Sequence, residues 1–203
     1  MRRAVLADRA QDRPARRRTS ARTRTRTRRQ TEVRAVKILV TAASRHGATQ
    51  EIGAVVAQAL AEAGHEVDER SPADVTSLDG YDAVVLGSAV YTAHWIPEAR
   101  DLAVRLADQL RERPVWLFSS GLATQPAASA NSPHEVAGLR AEIGAVAHRS
   151  FAGRLDRSVL SFTERTIIAG ARAREGDHRD LDAVRRWGQQ IAAELASHAV
   201  PVA

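Results

Sequence analysis

The chain has 203 residues, a net charge of +6 and no cysteine, which removes disulfides, iron–sulfur clusters and zinc–thiolate sites from consideration. No apolar run reaches the roughly 18 residues that a membrane span requires. The charge is uneven: residues 1–34 hold thirteen arginines against Asp8, Asp12 and Glu32, a net +10, which leaves −4 for the remainder.

The first 34 residues include "RTSARTRTRTRRQ" and almost no aliphatic side chains. Such a segment cannot bury enough apolar surface to offset the entropy of ordering, so 1–34 is expected to be a disordered Arg-rich tail. "MRRAVLADRA" lacks the apolar core of about 7–15 residues that marks a signal peptide. Three readings stand open: a start downstream of this stretch, a solvated tail, or a basic arm for nucleic acid or anionic lipid. Nucleic acid is not the expected partner. Residues 35–203 are expected to form one domain.

Within that body, Val36–Val40 reads as a short strand. Thr49–Ala63 then places Ile52, Val55, Val56, Ala59 and Leu60 at helical spacing, with Gly64 as a stop. His65–Arg70 is a second strand. Tyr81–Ala89 is a third, a continuous apolar run suited to burial on both faces. Glu98–Arg111 is predicted as one helix, with Ala99, Leu102, Ala103, Leu106 and Leu110 on one side. Pro114–Ser120 reads as a fourth strand. A helix over His134–Gly144 and a fifth strand over Ala145–Leu155 follow. Leu181–Ala196 closes the chain as a helix striped by Val184, Trp187, Ile191 and Leu195.

Strands alternating with helices imply an α/β fold, a doubly wound parallel sheet covered on both sides. The connection 154–180 is longer than that fold needs. Leu160, Phe162, Ile167 and Ile168 lie in it among Arg157, Arg165, Arg172 and Arg174, which suggests an amphipathic helix. It would either pack on the sheet edge or face a quinone or a membrane surface.

Ligands of such sheets bind beyond the carboxyl ends of the strands, so three loops matter. Ser44, Arg45, His46, Gly47, Ala48 and Thr49 join a strand to a helix N-terminus, whose unpaired N–H groups and dipole favour an anion. Gly47 lets the backbone approach a ligand closely. The loop is neither a Walker loop nor a Gly-x-Gly-x-x-Gly turn. It suits one terminal phosphate, or it is a capped turn that binds nothing. The second loop, Ser88, Ala89, Val90, Tyr91, Thr92, Ala93, His94 and Trp95, concentrates aromatics that can stack on a flat heterocycle; alternatively, Trp95 caps the next helix. In the third, "SSGLATQPAASANSP", Ser119, Ser120 and Gly121 can bond the polar edge of a ring, or the loop is a connector.

These loops, in this order, resemble those of the flavodoxin-like family. "SRHGAT" is similar to its Ser/Thr-x-Thr-Gly-x-Thr phosphate loop, with His46 at the middle Thr. "YDAVVLGSAVYTAHWIPEAR", "RPVWLFSSG" and "FAGRLDRSVL" resemble the menaquinone-dependent protoporphyrinogen dehydrogenase branch across nearly all of Val36–Ala196. The resemblance implies a five-stranded sheet of order 2-1-3-4-5 and FMN as cofactor. Ser44 to Thr49 would hold its phosphate, Tyr91 and Trp95 would flank its ring, and Ser88, Ala89, Val90, Ser119, Ser120 and Gly121 would line it. His94 is a candidate for proton transfer. It further implies two-electron oxidation of protoporphyrinogen or a similar reduced substrate in porphyrin biosynthesis, with quinone as acceptor. The location would be cytoplasmic, with possible peripheral contact at the inner membrane face.

The alternatives are an electron carrier whose acidic body docks basic partners, and a flavin-free binding or regulatory module. A phosphorylation receiver is disfavoured, because Gly87-Ser88 stands where that class needs a carboxylate. No glycine lies between Ser88 and Trp95, where classic flavodoxins often use one for a peptide flip, and the third loop lacks a covering aromatic. Ala or Val resists a positive φ by roughly 1–2 kcal/mol. The expectation is therefore two-electron chemistry with little neutral semiquinone.

Overall fold

The computed structural model describes residues 35–121, 133–171 and 174–198. The Arg-rich tail, the third loop from Leu122 to Ser132, Arg172 and the side chains of Ile167 and Ile168 lie outside the described residues.

The main elements alternate as the hydrophobic pattern requires. β1 (Lys37–Ala43) leads into α1 (Ala48–Glu62), and β2 (Glu66–Arg70) into β3 (Ala83–Tyr91). A two-residue β4 (His94–Trp95) turns back on β3, followed by α2 (Pro97–Arg105) and α3 (Ala107–Arg111). β5 (Val115–Gly121), α4 (His134–Glu142) and β6 (Ala147–Ala152) come next. β7 (Arg154–Leu155), α5 (Phe162–Ala171), β8 (Gly176–Asp177) and α6 (Leu181–His198) complete the order. The sheet runs β2-β1-β3-β5-β6 with every pair along that path parallel, and β4 adds an antiparallel return on β3. This is the doubly wound order expected from the sequence, with β5 and β6 as the fourth and fifth long strands.

Side-chain alternation along the central strands divides the core into two faces. Ile38, Val40, Val85 and Phe118 pack with Ile52, Val56 and Leu60 of α1 and with Trp187 and Ile191 of α6. Leu39, Leu86 and Leu117 face the opposite way and pack with Leu102 and Leu110. Phe118 meets Phe151 and Trp187 edge-on, with centroids 6.2 and 6.0 Å away. Its ring lies over the central strand at Gly87, where a Cβ would fall 2.1 Å from Cζ.

Two sequence expectations are corrected. The single helix over Glu98–Arg111 is two helices, because Leu106 departs from helical geometry (φ −111°, ψ 22°). Leu106 remains 4% exposed, so the break preserves burial at the cost of helical continuity. The fifth strand ends at Ala152, and Arg154–Leu155 leaves the sheet to pair antiparallel with Gly176–Asp177. The long connection does contain a helix, α5, yet Phe162 at its start is 85% exposed, while Leu160 just before it is buried. No helix among the described residues is long and apolar enough to cross a membrane.

Candidate functional site

The C-terminal ends of β1, β3 and β5 bring the first two loops and Ser119–Gly121 at the start of the third to one rim of the sheet. Ala43 pairs with Ser88, and Ser88 with Ser119, so the loops begin in register. The first loop turns into α1 through Gly47, the N-cap residue, at φ 81°. That left-handed geometry is inexpensive for glycine alone. The first helical bond is Glu51 N–H to the Gly47 carbonyl, at 3.0 Å. The amides before it have no carbonyl one turn back to bond. Ser44 Oγ accepts from the Thr49 N–H at 3.3 Å, and Thr49 is 3% exposed.

Two basic side chains, Arg45 and His46, rise from this turn. The Arg45 guanidinium lies 4.5 Å from the Tyr91 ring centroid. His46 Nε2 is 3.1 Å from Glu164 Oε1, and Arg45 Nη1 is 3.6 Å from the same oxygen. Glu164 belongs to α5. Burial pushes the Tyr91 hydroxyl up, the Glu164 charge adds to that rise, and Arg45 opposes it. Ala48 enters through its backbone, since its carbonyl accepts from Arg179 Nη1 at 3.2 Å.

The second loop differs from its expected form. Thr92 and Ala93 both have positive φ, 46° and 62°, the φ signature of a tight type I′ hairpin turn. The absence of glycine did not prevent left-handed geometry here; the steric cost of about 1–2 kcal/mol per residue is built into the fold. Missing glycine therefore gives no ground for a suppressed semiquinone in this loop. Trp95 does not present a platform. It is 1% exposed within the core, and its Nε1–H donates to Ser119 Oγ at 2.8 Å. Of the two rings expected to flank a heterocycle, Tyr91 alone remains partly exposed.

The other expected lining residues are largely committed. Ser88 is fully buried; its Oγ–H donates to the Ala89 carbonyl at 2.8 Å, and the oxygen accepts from Ile96 N–H at 3.0 Å. Ala89 and Val90 are 7% and 8% exposed, and Ser120 is 4%. Gly121 ends β5, where the described part of the third loop stops. The His94 side chain is 62% exposed, with Nδ1 3.1 Å from Glu135 Oε2. Arg100 approaches the same oxygen at 3.7 Å.

Sequence reasoning missed several partners. His148 on β6 lies with Nε2 2.8 Å from Ser119 Oγ. Because that oxygen already accepts from Trp95, its proton points to a neutral His148. Burial first, then the Arg140 charge, hold the imidazole down to about 4. A lone histidine on an edge strand carries no sequence signal for such a role. Glu164 carried one: Ser161-Phe162-Thr163-Glu164 is the Ser-x-x-Glu pattern of a capping box. Among the described residues no cluster of His, Asp or Glu could hold a metal ion.

The donor set of the first loop fits a phosphate monoester: a buried threonine, a serine hydroxyl, helix-start amides, an arginine and a histidine. A flat ring beside it would find one aromatic neighbour rather than two among the described residues.

Known proteins share this fold. The flavodoxin of Streptococcus pneumoniae TIGR4 superposes with a TM-score of 0.56 at 17% identity, covering 78% of this chain and 99% of its own. Oxidised flavodoxin 1 of Bacillus cereus gives 0.54 at 17% identity, with 81% and 99% covered. Rubredoxin oxygen:oxidoreductase of Desulfovibrio gigas gives 0.55 at 14% identity, with 81% of this chain but 37% of that one covered. No curated protein sequence matches. The family model described as flavodoxin domain matches residues 39–182, and the chain belongs to that family.

Proposed function

We propose that this protein binds FMN at the Ser44–Thr49 loop and acts as a flavin-dependent oxidoreductase. The observation that carries the reading is the Gly47-capped turn at the end of β1, with Thr49 buried and Tyr91 alongside, in a chain of the flavodoxin family. FMN, when bound, supplies hydride or single-electron chemistry that no side chain here can supply. The residues of this chain position it. Ser44, Thr49 and the first amides of α1 would bind the phosphate, Arg45 would balance its charge, and the His46 ring would hydrogen-bond it. Tyr91 would flank the ring, and the Trp95–Ser119–His148 hydrogen bonds link β4, β5 and β6. His94 holds Nδ1 toward Glu135, which leaves Nε2 as the ring atom that accepts or returns a substrate proton.

The substrate we propose is a reduced organic molecule of the protoporphyrinogen type, with a quinone as acceptor. Support comes from the likeness of "YDAVVLGSAVYTAHWIPEAR", "RPVWLFSSG" and "FAGRLDRSVL" to that branch. A peripheral membrane contact in the cytoplasm would use the insertion formed by the long connection 154–180, where Val159 and Phe162 are 53% and 85% exposed beside Arg157 and Arg165. One further reading has its own support: the acidic body, net −4, suits an electron carrier that docks basic partners. Flavin release and identification from the purified protein tests FMN binding. Anaerobic reduction by protoporphyrinogen, followed by reoxidation with menaquinone, tests the enzyme against the carrier. A flavin-free binding module predicts no flavin band at all.

A further inference from the structure

We propose that Glu164 is a specificity-determining residue of the phosphate loop: its carboxylate occupies Arg45 and His46 and competes there with the phosphate of a ligand. The proposal rests on reading Ser44–Thr49 as the phosphate site. The competing group comes from far along the chain, since Glu164 lies 118 residues beyond His46.

The carboxylate has two engagements. Oε2 accepts from the Ser161 N–H at 2.9 Å and from the Ser161 hydroxyl at 2.8 Å. The Ser161 Oγ in turn accepts from the Glu164 N–H at 3.3 Å, which completes a capping box at the start of α5. One oxygen is thus held by its own helix. The other, Oε1, is left for the loop and meets His46 and Arg45. The Ser161 bonds hold the group down to about 2, so it is ionised at neutral pH.

A second contact fixes the insertion beside the loop. The Arg179 side chain is 4% exposed and donates to Glu51 Oε2 and Asp177 Oδ2, each at 2.7 Å, as well as to the Ala48 carbonyl. Arg154 reaches Glu51 Oε1 at 3.0 Å. Both Ala48 and Glu51 lie in the first turn of α1. The insertion therefore grips α1 at its start while Glu164 reaches over the adjoining turn. An anion arriving at the turn meets an arginine and a histidine already engaged by a fixed negative charge. It must share them or displace the carboxylate, and the like charges repel. A ligand without a phosphate is indifferent to this. Glu164 therefore narrows the preference for FMN over riboflavin, and a bound phosphate loosens α5 from the loop.

The test uses the full chain and Glu164→Gln, since glutamine also serves the capping box and keeps α5 intact. Fluorescence titration with FMN and riboflavin is expected to show FMN binding roughly tenfold tighter in the variant, from the removed repulsion, with riboflavin changed by less than about twofold. In the wild type, hydrogen exchange at Ser161–Arg165 is expected to accelerate on adding inorganic phosphate. Unchanged or weaker FMN binding in the variant, with wild-type FMN binding intact, would overturn the competition. If wild type binds neither flavin, the flavin reading fails separately. The exchange readout then decides alone, and protection unmoved by inorganic phosphate overturns the proposal.

Discussion

Replacing Gly87 by Ala is expected to destabilise the protein by about 2–3 kcal/mol, and most of that added cost is expected to vanish in a background where Phe118 is already truncated. The added Cβ would lie 2.1 Å from Phe118 Cζ and 2.2 Å from Cε1, well inside the roughly 3.5–4.0 Å of carbon contact. The ring has no open side to move into. It is 0% exposed and flanked edge-on by Phe151 and Trp187. Overpacking of this kind costs typically about 1–3 kcal/mol. Disturbing the two ring pairs adds about 0.5–1.5 kcal/mol for each pair lost. Against this, alanine loses less backbone entropy than glycine in a strand, which returns about 0.5–1 kcal/mol. Phe118→Ala alone should cost about 3–5 kcal/mol through the cavity it leaves. In the double variant the methyl has room, so the combined cost should fall short of the sum by about 2 kcal/mol. Urea unfolding of the four proteins of the cycle, followed by tryptophan fluorescence, measures this. Strict additivity, or a Gly87→Ala cost below about 0.5 kcal/mol, would refute the close approach of ring and strand.

Acidification should weaken the fold through His148. A base whose pKa falls on folding stays neutral in the native state while the unfolded chain takes up a proton. Its stabilisation is therefore intact above about 6.5 and is lost as pH falls toward the folded value of about 4. Discounted for partial exposure, the loss is about 2 kcal/mol, and His148→Gln should flatten that part of the stability–pH curve. His65, 6% exposed, has no hydrogen-bond partner on either ring nitrogen among the described residues, and burial lowers its pKa. It should therefore contribute in the same direction, and a variant carrying both His65→Gln and His148→Gln should be flatter still. Ala93→Gly relieves a left-handed alanine at φ 62° and should stabilise by up to about 1 kcal/mol, less what glycine adds to unfolded-chain entropy; a loss in urea midpoint would contradict it. Deleting residues 1–34 should leave the melting temperature and flavin content unchanged, because their composition offers nothing to the core.

The fold was legible where the sequence writes burial directly. β3 and β5 read as continuous apolar runs because both faces of a central parallel strand are covered. The break at Leu106 was not legible, since Leu102, Leu106 and Leu110 keep helical spacing across it and all three are buried. The exit of Arg154–Leu155 from the sheet was hidden in the same way, because β7 continues the pattern of β6 into a different pairing. At the site, the Ser44–Thr49 turn was readable from Gly47 and its hydroxyls, which are local features. The fate of Trp95 was not. An indole near a strand end looks the same in sequence whether it faces a ligand or, as here, donates to Ser119 inside the core. Glu164 illustrates the remaining gap: its capping box is written in four consecutive residues, but its meeting with His46 depends on the fold closing over a long separation.

The most direct test of the account is flavin titration of the refolded, flavin-stripped protein, comparing wild type with Thr49→Ala. The account predicts that wild type binds FMN at one site per chain, and that Thr49→Ala weakens FMN by roughly tenfold, the effect of about one lost charged hydrogen bond, while riboflavin is nearly unaffected. Absence of FMN binding, or an equal loss of both flavins in the variant, would contradict the assignment of the β1–α1 turn as a phosphate-binding loop.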